Sequence, residues 1–239
     1  LVVPDDIEAA INEALNFIEN WIGGFTTRAT NPYRHFPIGM LARSIAFLRG
    51  IQALLGTRDD LSGVLFRGSI EADILGLYAL LGGEAAQLEL LGDHRRHVET
   101  FVSKMDDDDL NEAIAEWITP KATVVVEQVA QELGSMLAAE GELVSDAKGI
   151  YDSMYRHSST FDVHPVGASF RYSIVEGGIF RFVTNPGPVG LTPKIHLSLG
   201  TLYTTYFARY AFQKSGYGTT TIDALLVRLG EILEERPSG

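Results

Sequence analysis

The sequence predicts an all-α fold: a single helical bundle of eight or nine helices, spanning residues 1–239 as one domain, with one β-hairpin near residues 170–183. Three observations predict it. Apolar residues recur at steps of three and four along most of the chain, which lines one face of a helix. Gly, Pro and Asp/Ser signals interrupt those stripes at intervals of about one helix length. A single stretch, Phe170 to Val183, alternates with the period of a strand.

In order, Ile7, Ile11, Leu15, Ile18 and Ile22 form the stripe of a first helix over Asp5 to Ile22. Gly23-Gly24 and two prolines make Thr26 to Pro37 a loop, followed by a second helix over Ile38 to Leu55 that Gly56 ends. Asp59-Asp60 opens a third, nearly all apolar and so central, which stops at Gly82-Gly83. A fourth covers Glu84 to Met105. Asp106 to Asp109 then form a helix N-terminus, with Asp109 and Glu112 at capping-box spacing for a short fifth helix. Pro120 starts another through Ala139, and Ser145 caps a helix that ends before Pro165. Phe170, Tyr172 and Ile174 alternate, Gly177-Gly178 turns, and Ile179 to Val183 returns. Two last helices cover Pro193 to Lys214 and Thr220 to Glu235.

Composition bounds the function. With 239 residues, 46% of them apolar and 21% charged, the chain can bury a substantial core and is not disordered. The absence of cysteine excludes disulfides, thiol nucleophiles and Cys-ligated metal. No apolar run reaches eighteen residues and Leu1 to Val3 is not a signal peptide, so a soluble, cytoplasmic protein is expected, with no membrane partner; the missing Met points to a fragment or trimmed chain. A net charge of −12 argues against DNA as a partner and against any general hold on nucleic acid. Within that acidic chain, residues 148–214 form a locally cationic island, with seven Lys/Arg against three Asp/Glu.

P-loop, nucleophile-elbow, zincin and dinucleotide-binding signatures are all missing, and no cofactor is expected. Ser145-Asp146-Ala147-Lys148 matches S-x-x-K formally, but Ser145 stands where an N-cap is wanted. His94 and His97 sit one turn apart, yet Arg95 and Arg96 between them repel a metal, so no metal site is expected. Arg67 and Glu71 lie at i, i+4 in an apolar stretch, which reads either as an internal ion pair or as part of a substrate site; Asp73 and Tyr78 extend the polar set. The densest cluster runs from Tyr151 to Pro165 and includes Tyr155, Arg156, His157, Ser159 and His164. Histidine supplies general acid and base, and arginine stabilises a phosphorane, which suffices for metal-free cleavage of RNA. The same residues also read as a plain helix C-terminus, with His164 capping carbonyls and Arg156 pairing with Asp152.

Leu65-Phe66-Arg67-Gly68-Ser69-Ile70-Glu71 and Leu77-Tyr78, taken with Tyr155-Arg156, Ser158-Ser159 and Val163-His164-Pro165, resemble an uncharacterised all-helical bacterial family with Arg-x-x-x-Glu and Tyr-Arg…Ser…His-Pro motifs, distantly similar to HEPN domains. The resemblance covers about fifty residues in two patches. It implies a metal-independent ribonuclease of a bacterial defence or toxin system, with RNA as substrate. Arg156, His157 and His164 would be catalytic, Arg67, Glu71, Tyr78, Tyr155 and Ser159 would bind substrate, and two copies would face each other as a homodimer. Seven residues separate Arg156 from His164, one more than the HEPN spacing allows. The alternative is a non-catalytic helical module that binds a ligand or a protein, which the acidic composition favours. A third reading is a small-molecule enzyme around Arg67, Glu71, Tyr78 and His164.

Overall fold

The computed structural model describes residues 6–25, 32–102, 121–140, 147–155, 173–176, 179–182 and 192–234. Seven α-helices make the fold among them: α1 (Ile7–Gly24), α2 (Pro32–Leu54), α3 (Ser62–Val102, preceded by a 3₁₀ turn at Asp59–Leu61), α4 (Val126–Ala139), α5 (Ala147–Ile150), α6 (Pro193–Lys214) and α7 (Thr220–Glu234). Beyond α5 the chain continues as one π-helical turn, Tyr151–Tyr155.

The expected architecture is therefore corrected. The described helices number seven, not eight or nine, with α3 counted as one element. Within it the backbone breaks at Gly83 (φ 63°, ψ −144°), a conformation open essentially to glycine, so two helical runs meet where the Gly82-Gly83 stop was expected. Among the described residues the layers and the core are helical. Ser173–Glu176 and Ile179–Phe182 pair as a two-stranded antiparallel ribbon, in the register Ser173 opposite Phe182 to Glu176 opposite Ile179. The short helix expected after Asp109 and the cap at Ser145 lie outside the described residues.

Two boundaries also move. α2 begins at Pro32, inside the expected loop, because a proline at the first helical position lacks an N–H that would go unbonded anyway and Pro37 gives up one further ladder bond. α4 begins at Val126 rather than Pro120. The segment before it holds Thr123, Val124 and Val125, whose β-branched side chains favour the extended backbone seen at Val125 (φ −112°, ψ 112°). That extended strap bonds to α3: Val124 N–H donates to Asp93 Oδ1 at 3.0 Å, and Arg96 Nε donates to the Ala122 carbonyl at 3.1 Å. At the other end of the chain, α6 starts as expected, with Pro193 at its first position and Thr192 accepting from Ile195 N–H.

α3 is the central helix. It packs on α2, α4 and α6, and Phe66, Ile70, Leu48, Leu133 and Phe207 are wholly buried between them. α6 approaches α3 closely at Gly76, where a Cβ would stand 2.6 Å from the Phe207 ring. α1 and α7 close the far side of α6, where Trp21 stacks on Phe212 at 4.3 Å.

Candidate functional site

A chain of hydroxyls crosses the core. On α3, Ser69 and Asp73 lie one turn apart on the face that meets α2 and α6. Ser44 of α2 sits 2.9 Å from Ser69 Oγ and 2.8 Å from Thr204 Oγ1 of α6, and Thr204 donates to Asp73 Oδ2 at 2.9 Å. Each hydroxyl has one proton. Ser44 Oγ also reaches the Ser69 carbonyl at 3.4 Å, so the hydroxyls of Ser69, Ser44 and Thr204 link α2, α3 and α6 to one carboxyl oxygen, and such chains reinforce themselves in a buried setting.

The other oxygen, Asp73 Oδ1, is buried and has no hydrogen-bond partner. Burial pushes the Asp73 carboxyl up to about 8, against the pull of Ser44 and Thr204, so near neutral pH it carries its proton. Asp73 also lines a half-open cavity of about 40 Å³ between α3, α4, α5 and α6. The walls are aliphatic from α3, α4 and α5, with Ile70, Leu77, Leu137 and Ile150 among them, while α6 contributes Tyr203, Tyr206 and Phe207. A buried water needs roughly 10–15 Å³ measured this way, so the space holds about three.

Arg67, Glu71 and Tyr155 come together, as the sequence suggested, but as a brace. Arg67 Nη2 donates to Tyr155 Oη at 2.5 Å, and its guanidinium lies 4.6 Å from the centroid of that ring. Tyr151 stacks on Tyr155 at 4.7 Å, so one arginine pins the π-turn against α3. Burial, then the charge of Glu71, pushes the Tyr155 phenol up against the opposing effect of Arg67. Glu71 Oε2 is 3.6 Å from Arg67 Nη2, with side chains 36% and 29% exposed; the pair is half in solvent rather than internal. Arg67 shares the helix stripe of Ile70, Ile74 and Leu77, one turn before the cavity begins.

Tyr78 stands apart. Eleven residues along α3 place it about 16 Å from Arg67 along the axis. There its hydroxyl meets Glu89 at 2.9 Å and Glu132 of α4 at 3.1 Å, and burial with these two carboxylates pushes it well above the ordinary phenol range. Arg156, His157, Ser159 and His164 lie outside the described residues. Asp152, one of their expected neighbours, pairs with Lys148 at 2.5 Å. Asp93 joins Arg96 at 2.8 Å and His97 at 3.4 Å, which puts the His94–His97 turn to work holding the strap. No cluster of three or more His, Cys, Asp or Glu suited to a metal exists among the described residues. None of the described helices is long and apolar enough to cross a membrane.

No family model matches the chain, and no curated protein or solved structure matches it either. Sequence reasoning named Asp73 only as an extension of the Arg67–Glu71 set and missed Ser44, Ser69 and Thr204. The signal was there: polar residues interrupt apolar stripes, as Ser44 does between Leu41, Ile45 and Leu48.

Proposed function

We propose that the protein is a non-catalytic helical ligand-binding module whose seat is the cavity between α3, α4, α5 and α6. One observation carries this reading: a fully buried carboxyl, Asp73, lines an apolar cavity with one oxygen unpartnered. Buried polar groups in folded proteins are nearly always bonded, so an orphan at a cavity wall is a place for a water or a ligand atom to bond. The described residues around it offer a shaped, water-poor space and a hydrogen-bonding group but no nucleophile–base pair, which fits binding rather than turnover.

The ribonuclease reading needs Arg156, His157 and His164, and it draws its support from the sequence resemblance alone. Arg67 and Tyr155, which it assigns to substrate, already hold each other.

The test is a fragment screen on the full chain by amide-resolved NMR. Binders should perturb residues of α3, α4 and α6 that line the cavity and raise the melting temperature in proportion to the logarithm of their concentration. Ala147→Leu, which fills the cavity from α5, should abolish those shifts while the fold persists. Hits that perturb other surfaces only, unaffected by Ala147→Leu, remove the reading.

A further inference from the structure

Resting on the reading of this cavity as a ligand seat, we infer that its occupant is a neutral alcohol, its hydroxyl hydrogen-bonded to Asp73 Oδ1 and its apolar body lying along the aliphatic walls.

The body follows from the walls. Ile70, Leu77, Leu133, Leu137 and Ile150 line the space with hydrocarbon, and beside Asp73 the other described lining residues with a polar side-chain atom are Tyr203 and Tyr206. A charged group moved from water into such a lining loses hydration that hydrocarbon does not replace. Asp73 does not restore it, because burial keeps that carboxyl protonated near neutral pH. The occupant is therefore neutral and mostly apolar. The half-open mouth sets no upper limit on the length of its body.

The polar end follows from Asp73 itself. Oδ2 meets Thr204 at 2.9 Å, whereas buried Oδ1 has no partner. A protonated carboxyl has one hydroxyl oxygen and one carbonyl oxygen, and the buried chain suits either placement of the proton. With Thr204 donating to Oδ2, the acid proton sits on Oδ1. With the proton on Oδ2 the same contact runs the other way, Thr204 donates to Ser44, and Ser44 donates to the Ser69 carbonyl at 3.4 Å. Oδ1 is thus a donor in one arrangement and an acceptor in the other. An ether or ketone answers only the first. A hydroxyl answers both, since it carries one proton and two lone pairs. An amide also carries both, but brings a second polar atom that these walls leave unbonded. A hydroxyl further reproduces the bond of any water it displaces from Oδ1, while its carbons gain the aliphatic contact that a water forgoes.

The probes are 1-butanol, 1-chlorobutane as a chain of similar shape without the hydroxyl, and n-butylammonium, each titrated into the full chain at pH 6 and followed by amide-resolved NMR. We expect 1-butanol to perturb the cavity residues and to bind more tightly than n-butylammonium by about tenfold or more. In Asp73→Val, the affinity for 1-butanol should fall about tenfold relative to that for 1-chlorobutane, which reports any change in the space itself. Isotope-filtered NOEs in the unaltered protein should place the butanol C1 protons at Asp73 Cβ and its methyl group among Leu77 and Leu137. That orientation decides the matter even if Asp73→Val fails to fold. An unchanged affinity ratio in Asp73→Val, or the methyl end at Asp73, overturns the hydroxyl and leaves the ligand seat standing. Tighter binding of n-butylammonium overturns the neutral occupant and also leaves the seat. If none of the three perturbs the cavity residues, or if their shifts survive Ala147→Leu, the seat itself falls.

Discussion

Thr204 donates its hydroxyl proton to Asp73 Oδ2 across 2.9 Å, joining α6 to α3 over 131 residues of chain. It is the last link of a buried polar line through a largely apolar core, and the stability of the fold depends on how that line is protonated.

The first consequence is a pH dependence. Asp73 titrates at about 8 in the folded chain and near 4 when unfolded, so between those values the folded state binds the extra proton. Stability is highest at or below pH 4 as far as this group is concerned, falls as pH rises, and levels off above pH 8; four units correspond to a ceiling of roughly 5 kcal/mol. Urea denaturation at intervals from pH 5 to 9 should show this fall in the native chain and a much flatter profile in Asp73→Asn. Equal slopes in the two proteins would assign the fall to other groups.

Thr204→Val keeps the shape and removes the donor, leaving both Asp73 oxygens without a bond from α6. An unsatisfied buried acceptor costs about 1–3 kcal/mol, and the carboxyl should titrate higher still. The double variant Thr204→Val/Asp73→Asn should lose less than the sum of the singles, as coupled neighbours do. Additive losses would mean that the two side chains do not act as a pair.

Glu71→Ala should change stability by less than about 1 kcal/mol, because a pair this exposed is screened by water. Arg67→Ala should cost more, since it also releases Tyr155 and the π-turn, and amide exchange should rise at residues 151–155. A loss of about 3 to 5 kcal/mol from Glu71→Ala, the range for a broken internal pair, would contradict the half-exposed geometry.

Gly83→Ala meets no neighbouring atom, so its effect is purely conformational. Forcing an L-residue into φ 63°, ψ −144° costs about 1–3 kcal/mol, or else straightens α3. Thermal denaturation should show the loss, and a variant as stable as the native chain would mean that the kink is not required.

Much of this fold is written locally. α1, α6 and α7 are legible because stripe and end signals agree, as with Ile7 to Ile22 or Thr192-Pro193 before α6. Where two signals conflict, tertiary contacts decide: Pro32 and Pro37 read as a loop until α2 packs on α3. Gly82-Gly83 reads as a stop, and the backbone of α3 breaks there. The strap before α4 depends on Asp93 and Arg96, some thirty residues earlier, and no local pattern encodes that. The site was half legible for the same reason. Arg67, Glu71 and Tyr155 advertise themselves as charged or aromatic groups in apolar sequence, whereas Ser44, Ser69 and Thr204 are ordinary in isolation and gain meaning only where three helices cross.

The kink at Gly83 gives α3 an elbow, and α4 is a crossbar braced on both arms of it: Glu132 is tied to Tyr78 before the bend, and the strap leading into α4 is tied to Asp93 after it. Leu133 and Leu137 ride on that crossbar and face Ile70 and Leu77 across the cavity. The bend at Gly83 thus lets one short helix be held by both arms of α3 while its leucines wall the cavity.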